Sequence, residues 1–317
     1  MSAGLGTGID AAIVAAARAI EDRIGSVLLG KPTPVRLAAA ALLAGQHLLV
    51  NDLPGMGKTT LGTAMARVID GSFGRIQGTP DLLPTDLTGC SVYQPDCGRW
   101  AFRPGPLQAN VVLVDEVNRI TPRTQSALLE AMAEGQVTVD GVTRPVPRPF
   151  LVVATMNPAG SVGTFPLTAG QLDRFGAALS LGPVTRSVQR QVLRGDGGPA
   201  ALDHIVPVLP AALLPELQDY VASVHVADVV LDYVLDLCQA LQPLGHLSAR
   251  ASRSVVALAR ALAVLDARPF VVPDDVKALA GPCLGHRLAA EGEPVDARTA
   301  EVRLVVDEVP VPDLVRS

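Results

Sequence analysis

A glycine-rich loop between an apolar run and a helix-forming segment constrains the fold of this chain more than any other feature. His47–Val50 is a short, mainly apolar run, residues 51–55 carry Pro and Gly turn signals, and Thr59–Ile69 has helix-forming composition. A buried strand that stops at such a turn and continues into a helix is the βα unit of phosphate-binding folds. We therefore predict an α/β domain with a phosphate-binding loop at residues 52–59.

The loop departs from the usual pattern G-x-x-x-x-G-K-[ST] at its first position. Asp52 replaces the first glycine, whereas the more demanding part, Gly55, Gly57, Lys58 and Thr59, is intact. Small residues let successive backbone N–H groups point at phosphate oxygens, and the positive end of the following helix adds to that attraction. The alternative is a chance glycine turn ahead of a helix, and the preceding strand makes that alternative a weak rival.

The loop predicts a site for ATP and Mg²⁺. We expect the Lys58 side chain to reach the β- and γ-phosphates and the Thr59 hydroxyl to coordinate Mg²⁺. The predicted nucleotide-binding residues of the loop are Pro54, Gly55, Met56, Gly57, Lys58, Thr59 and Thr60.

Two adjacent acids, Asp115 and Glu116, end the apolar run Val111–Val114. An aspartate at the carboxyl end of a strand beside a phosphate loop can hold hydrated Mg²⁺, and the following glutamate can polarise a water for attack on phosphorus. Acids often follow strands, so this pair is informative only together with the loop upstream. Asn157 follows the predicted strand Phe150–Thr155 and either positions the attacking water or caps a turn before a proline.

Arg174 and Arg250 are candidates for cations that stabilise charge on the γ-phosphate from outside the loop. One could come from a neighbouring subunit and the other from a second domain of the same chain. The alternative for each is an ordinary surface arginine, and the residues alone leave this choice open.

The rest of the chain predicts two further hairpins and a second domain. Residues 136–146 contain an Asp-Gly turn between short apolar runs, and a second hairpin is expected between residues 91 and 102. The chain turns polar and glycine-rich from Gly182 to Pro199, and beyond that stretch nearly every segment is helix-like. We place an α/β domain at residues 1–182, with the hairpin insert at about 88–104, and a smaller all-helical domain with a C-terminal tail at 183–317.

Composition and charge disfavour several classes of protein. The net charge of −5 gives no basic footprint for nucleic acid, so no nucleic-acid partner is expected. Leu37–Ala44 is too short to span a membrane, and the default expectation is a cytoplasmic protein without a membrane span. Cys90 and Cys97 could face each other across the hairpin, but reduced thiols are favoured because no CxxC spacing occurs.

Several segments together form a specific set: 82–89 (LLPTDLTG), 115–119 (DEVNR), 125–132 (QSALLEAM), 154–158 (ATMNP) and 171–175 (QLDRF). This set resembles the MoxR family of AAA+ ATPases over roughly residues 24 to 290. One departure is Gly78, which stands where a bulky aromatic residue is common in such proteins.

The resemblance implies a P-loop AAA+ core of three αβα layers with a smaller all-α lid. It also implies a homo-oligomeric, hexameric ring with ATP bound between subunits. In it, Arg174 would be the arginine finger acting on the neighbour's ATP, Asn157 sensor 1 and Arg250 sensor 2. The hairpin at residues 91–102 resembles the insert in helix 2 of the clade shared with magnesium chelatase. Relatives act as chaperone-like factors, often with von Willebrand factor A domain proteins and sometimes in metal or cofactor insertion.

The sequence thus predicts Mg²⁺-dependent ATP hydrolysis that drives chaperone-like remodelling or maturation of a partner protein. One alternative is a nucleotide-gated binding module with little turnover. Another is the ATPase subunit of a metal-chelatase-type complex. A DNA-associated motor is a third, which the acidic balance of the chain disfavours.

Overall fold

The computed structural model describes residues 10–52, 55–156, 163–290, 293 and 297–312. Within these residues the strands lie in the first part of the chain and form one larger sheet and two hairpins. The strands are β1 (Leu48–Asn51), β2 (Phe73–Gln77), β3 (Gly89–Gln94), β4 (Arg99–Pro104), β5 (Val111–Asp115), β6 (Gln136–Val139), β7 (Val142–Pro145), β8 (Leu151–Met156) and β9 (Ala177–Leu179).

The larger sheet has five strands in the order β2-β5-β8-β1-β9, and all neighbouring strands are parallel. Its central strands are almost continuously buried and rich in β-branched residues, as expected for a parallel sheet covered on both faces. The strands predicted before the phosphate loop, the acid pair and Asn157 are present as β1, β5 and β8. They lie side by side in the sheet, with β8 between the other two. Their carboxyl ends therefore meet at one edge of the sheet.

Helices cover the sheet, and local signals set their ends. Asp10 caps the first helix by accepting the N–H of Ala12 at 2.8 Å. Pro122 opens a later helix, which stops at Gly135 with φ 65°. The helices that precede residue 182 are α1 (Ala11–Val27), α2 (Pro32–Leu43), α3 (Lys58–Arg67), α4 (Pro84–Thr88), α5 (Pro122–Glu134) and α6 (Ala169–Leu172).

Two apolar clusters, one on each face of the sheet, give the predicted three-layer αβα core. Val111 and Leu113 of β5 join the cluster under α1, α2 and α3, whereas Val112 and Val114 join the cluster under α5. This alternation follows from the two-residue period of a strand. The α/β fold class with a helical lid is confirmed.

After residue 182 the described residues form helices and a single isolated bridge between His225 and Phe270. The apolar cluster under α1 and α2 continues without a break into this helical region, through residues such as Tyr233 and Leu258. The division at residue 182 therefore stays a proposal that rests on the change of architecture. The helices after it are α7 (Arg186–Leu193), α8 (Leu214–Ser223), α9 (Asp228–Ala240), α10 (Ala249–Leu265), α11 (Pro273–Leu288) and α12 (Thr299–Glu308).

Six elements were not predicted from the sequence. β2 is an edge strand in which Gly74 and exposed Arg75 break the apolar pattern, and β9 has only three residues. The helices α4 and α6 have only five and four residues. α7 lies in the polar stretch taken as a linker and buries none of its residues, and α12 was also missed.

Both predicted hairpins are present, and their strand pairing shows whether Cys90 and Cys97 face each other. β3 pairs with β4, and β6 pairs with β7, both antiparallel. Cys90 lies opposite Arg103, and Cys97 lies in the turn, so these two thiols do not face each other across the hairpin. Cys90, Cys97, Cys238 and Cys283 are all free, in agreement with the favoured reading.

Candidate nucleotide site

The loop between β1 and α3 has the backbone shape that a phosphate site needs. Gly55 has φ 83°, and Gly57, the residue before α3, has φ 99°. Both values lie in the left-handed region that favours glycine. A Cβ placed at Gly55 would meet nothing within 4 Å, so the space in front of the loop is open. The N-terminus of α3 has no side-chain cap, which leaves its first N–H groups available for an anion.

Lys58 lies at the start of α3 with 9% of its surface exposed. Its Nζ donates to the carbonyl oxygen of Asp52 at 2.7 Å. The neighbouring Thr59 is half-buried, and Thr60 is buried. A buried ammonium group held against a loop carbonyl fits a site in which phosphate oxygens would be its partners.

The acid pair lies at the end of β5. Asp115 is buried, and one of its oxygens, Oδ2, accepts from Arg75 Nε at 3.1 Å and Nη2 at 2.9 Å. Glu116 has φ 57°, an uncommon backbone conformation for a glutamate, and its N–H donates to Thr155 Oγ1 at 2.9 Å. Its carboxylate forms an ion pair with Arg119 at 3.1 Å.

The phosphate loop and the acid pair share one cleft of about 340 Å³. The predicted site residues that line this cleft belong to the phosphate loop and to the end of β5. The lining residues are Gly55, Gly57, Lys58, Thr59, Thr60, Arg75, Gln77, Asp115, Glu116, Thr155 and Pro199. Met56 is not among them and packs instead against the apolar cluster. Pro54 and Asn157 lie outside the described residues.

Gly78 explains how the edge strand comes so close to the acid pair. Its N–H donates to the carbonyl oxygen of Asp115 at 2.7 Å. An added Cβ would lie 2.2 Å from the carbonyl oxygen of Glu116, far inside contact distance. This backbone arrangement therefore requires glycine at position 78, where a bulky aromatic residue is common in the family.

Arg174 and Arg250 lie together in a second cleft, of about 840 Å³, and neither lines the first. Arg174 donates from Nη1 to the carbonyl oxygen of Leu129, and Arg250 lies 3.7 Å from Asp173. Two more arginines, Arg253 and Arg260, line the same cleft. Within one subunit the two predicted arginines thus meet each other but do not meet the phosphate loop.

Three residues that contact the acid pair were missed from the sequence, and two of them, Arg75 and Thr155, line the first cleft. Arg75 and Thr155 contact the acid pair, and Arg119 binds Glu116. Arg75 gave no signal because its strand was not recognised. Thr155 could have been found, because a hydroxyl in an otherwise apolar buried strand needs a partner.

Residues 47–177 match the ATPase family associated with various cellular activities (AAA), and residues 237–306 match the AAA lid domain. The chain is 41% identical to the uncharacterized protein YeaC of Bacillus subtilis strain 168, across 92% of this chain and 93% of YeaC. It is 35% identical to chaperone MoxR1 of Mycobacterium tuberculosis strain H37Rv, across 83% of this chain and 72% of MoxR1. The chain belongs to the MoxR family of AAA+ ATPases.

A solved structure supports the same MoxR-family fold. A protein from Cytophaga hutchinsonii, assigned provisionally as an ATPase, superposes with a TM-score of 0.84 at 29% identity, covering 95% of this chain and 96% of the other. More distant similarity, 31% identity across 64% of this chain and 62% of the relative, links this MoxR-family chain to the magnesium-chelatase 38 kDa subunit of Chlorobaculum parvum.

Two features are absent from the described part of the chain. No helix there combines the length and the apolar character needed to cross a bilayer. No group of three or more His, Cys, Asp or Glu side chains there is arranged to hold a metal by itself.

Proposed function

We propose that this MoxR-family protein hydrolyses ATP with the help of Mg²⁺ and uses the cycle to remodel or mature a partner protein. The observation that supports this most directly is the shared cleft of Lys58, Thr59, Asp115 and Glu116. Residue types that bind phosphate and residue types that activate water lie on the same sheet edge, which is what phosphoryl transfer to water requires.

Each loop residue has a role in binding. The N–H groups at the start of α3 and the Lys58 ammonium would hold the phosphates, with Lys58 leaving the Asp52 carbonyl to do so. The Thr59 hydroxyl and the Asp115 carboxylate supply the hard oxygen ligands that Mg²⁺ prefers, with Asp115 acting through water. Bound Mg²⁺ would neutralise charge on the β- and γ-phosphates.

Glu116 is the proposed general base. Its carboxylate lines the cleft but forms an ion pair with Arg119 at 3.1 Å. To accept a proton from water, Glu116 has to leave Arg119, and Asn157 is proposed to orient that water. The ion pair also favours one alternative, a nucleotide-gated binding module with little turnover.

Arg174 and Arg250 do not line the phosphate cleft of their own subunit. We propose that Arg174 reaches the γ-phosphate of an adjacent subunit in a homo-oligomeric, hexameric ring. Because Arg250 lies in the same cleft as Arg174, we propose that it acts there too, in place of the role within its own subunit that the sequence led us to expect. In that arrangement they would stabilise charge that develops during hydrolysis.

The partner class is inferred from relatives. One relative is named a chaperone, and we propose a chaperone-like role here, with a von Willebrand factor A domain protein as a candidate partner. The distant similarity to a magnesium-chelatase subunit favours a second candidate, the ATPase subunit of a metal-inserting complex. The acidic net charge gives no reason to expect nucleic acid.

Steady-state phosphate release tests the proposal. Wild-type protein should release phosphate from ATP only when Mg²⁺ is present. Glu116→Gln should lower kcat by about a hundredfold or more with ATP binding retained, because only the base is lost. Lys58→Ala should abolish binding itself.

Glu134→Gln is the matched control, because Glu134 is an exposed glutamate at the end of α5 and lies outside the cleft. It should match the wild type in both binding and turnover. Equal phosphate release by wild type and Glu116→Gln would reject Glu116 as the base. Turnover that appears only with an added von Willebrand factor A domain protein would indicate a partner-stimulated ATPase, whereas ATP binding without turnover even with that partner would favour the nucleotide-gated module.

A further inference from the structure

Asp52 connects the phosphate loop to the start of the helical region. Its carboxylate accepts hydrogen bonds from Ser180 Oγ at 2.8 Å, from the N–H of Gly182 at 3.2 Å, and from the N–H of Leu181. These residues directly follow β9, which pairs with β1 in the sheet. The first residue of the loop is therefore bonded to the first residues of the connection that leads to α7.

Lys31 holds the same connection by its carbonyl groups. Its Nζ donates to the carbonyl oxygen of Leu181 at 3.0 Å and to that of Gly182 at 2.5 Å, and only 8% of the residue is exposed. Burial lowers the pKa of Lys31, and the nearby negative charge of Asp52 opposes that shift. Leu181 and Gly182 thus have their N–H groups bound by Asp52 and their C=O groups bound by Lys31. We call Lys31, Asp52, Ser180, Leu181 and Gly182 together the loop–linker clamp.

The backbone of Asp52 faces the other way, towards the nucleotide cleft. Its carbonyl oxygen accepts from Lys58 Nζ at 2.7 Å. A phosphate bound in the loop would compete with this carbonyl for the same ammonium group. One residue therefore contacts the proposed phosphate-binding lysine with its backbone and the linker with its side chain.

The connection begins at the residues bonded to Asp52 and reaches the nucleotide cleft further along. Gly182 has φ 60°, in the left-handed region, so the chain turns sharply immediately after the clamp. α7 then packs at Gly30, where an added Cβ would lie 2.8 Å from Val188 Cγ2. Further along, Pro199 lines the nucleotide cleft. A shift of the clamped residues would therefore act on a segment that reaches the cleft at Pro199.

We propose that the loop–linker clamp couples nucleotide occupancy of the phosphate loop to the connection between the α/β core and the helical region, with Asp52 and Lys31 as positioning residues. This inference rests on the proposed function. The glycine of the generic pattern has no side chain and could not make these bonds. Asp52, which replaces that glycine, therefore supplies the side chain on which the proposed coupling depends.

A simpler alternative is that the clamp only stabilises the end of β9. In that case its loss would lower the melting temperature but leave the response to nucleotide and the turnover intact. Amide hydrogen exchange at residues 181 and 182 distinguishes the two, because Asp52 binds both of these N–H groups. The exchange is measured on the full chain with and without a non-hydrolysable ATP analogue and Mg²⁺.

In the wild type we expect the analogue to change exchange at residues 181 and 182 by about tenfold. In Asp52→Gly, Asp52→Asn and Lys31→Met we expect fast exchange in both states and a response below about twofold. These variants should also lose about tenfold in kcat, with affinity for the analogue kept within about threefold, since Lys58 and the loop glycines remain. Asp86→Asn is the control, because Asp86 binds a single N–H, that of Leu83, outside the cleft.

A wild-type response in all three variants, with unchanged kcat, would overturn the coupling even if their melting temperatures fell. Should Asp52→Gly fail to fold, Asp52→Asn and Lys31→Met carry the same expectations. Wild-type protein that binds no analogue would contradict the proposed function. Wild-type protein that binds the analogue without any change in exchange at residues 181 and 182 would contradict the clamp alone.

Discussion

The guanidinium group of Arg75 donates two hydrogen bonds, at 2.9 and 3.1 Å, to a single oxygen of Asp115. This fixes the rotation of the carboxylate and leaves its other oxygen, Oδ1, 3.5 Å from Thr155 Oγ1. The acid proposed to hold hydrated Mg²⁺ is thus oriented by an edge strand that the sequence did not reveal.

Replacement of Arg75 should therefore impair catalysis. We expect Arg75→Ala to lower kcat about tenfold with little change in KM, because the metal-binding carboxylate is no longer held in one orientation. Arg67→Ala is the control, since Arg67 forms an exposed ion pair with Asp203 outside the cleft. Steady-state kinetics at several Mg²⁺ concentrations measure the effect, and wild-type kcat in Arg75→Ala would refute the positioning role.

Gly78→Ala should distort the acid pair from behind. The added methyl group would lie 2.2 Å from the carbonyl oxygen of Glu116, so the backbone has to shift. We expect a loss of roughly 2 kcal/mol in the free energy of unfolding together with a large loss of turnover. Gly170→Ala, where the new methyl group meets nothing within 4 Å, should leave both unchanged within about 1 kcal/mol. Equal behaviour of the two variants in denaturant titrations and turnover assays would contradict this account.

His47 should make the fold sensitive to mild acid. Its Nδ1 accepts the N–H of Val152 at 3.0 Å, and its Nε2 lies 3.2 Å from the carbonyl oxygen of Met132, so the neutral ring suits its site. Burial lowers the pKa of His47 from 6.5 to about 4. Because the unfolded chain takes up a proton near pH 6.5 and the folded chain does not, stability falls as the pH drops from 7 towards 4.

We expect His47 to contribute about 1 kcal/mol of the stability lost between pH 7 and pH 5. This contribution is smaller than the shift in pKa alone would give, because His47 is partly accessible to solvent. Urea titrations across this range, compared with His47→Gln, isolate the contribution. The exposed His204 provides the control His204→Gln, which should keep the wild-type pH dependence. Identical slopes for His47→Gln and wild type would rule out His47 as the source.

Arg174 should act on the nucleotide of a neighbouring subunit. Arg174→Ala and Glu116→Gln should each be inactive alone. Mixed together, they create interfaces that combine an intact Glu116 from one subunit with an intact Arg174 from the next. We expect partial recovery of phosphate release in the mixture, up to about a quarter of wild-type turnover. No recovery in mixtures shown to assemble would indicate that Arg174 acts elsewhere.

The strongest parts of the site could be predicted from the sequence because they depend on local order. A glycine loop between strand and helix, and two acids after an apolar strand, keep their meaning without knowledge of the rest of the fold. The contacts of Arg75 and of the loop–linker clamp could not be predicted, because they join residues 40 and about 130 positions apart. The short helix α7 was also missed, because it lies in a polar, glycine-rich stretch and buries none of its residues. In the sequence, Gly78 is notable only because it replaces a common aromatic residue. The reason for the glycine depends on the pairing of β2 with β5, which brings the residue after β2 against the end of β5.

A crystal structure of Glu116→Gln with ATP and Mg²⁺ tests the proposed nucleotide site without relying on kinetics. We expect Lys58 Nζ to have left the Asp52 carbonyl for the β- and γ-phosphates. The side chain at position 116 should then lie within one water molecule of the γ-phosphorus. A nucleotide bound elsewhere on the chain, or a triphosphate in the loop with residues 115 and 116 on the far side from its terminal phosphate, would contradict the account.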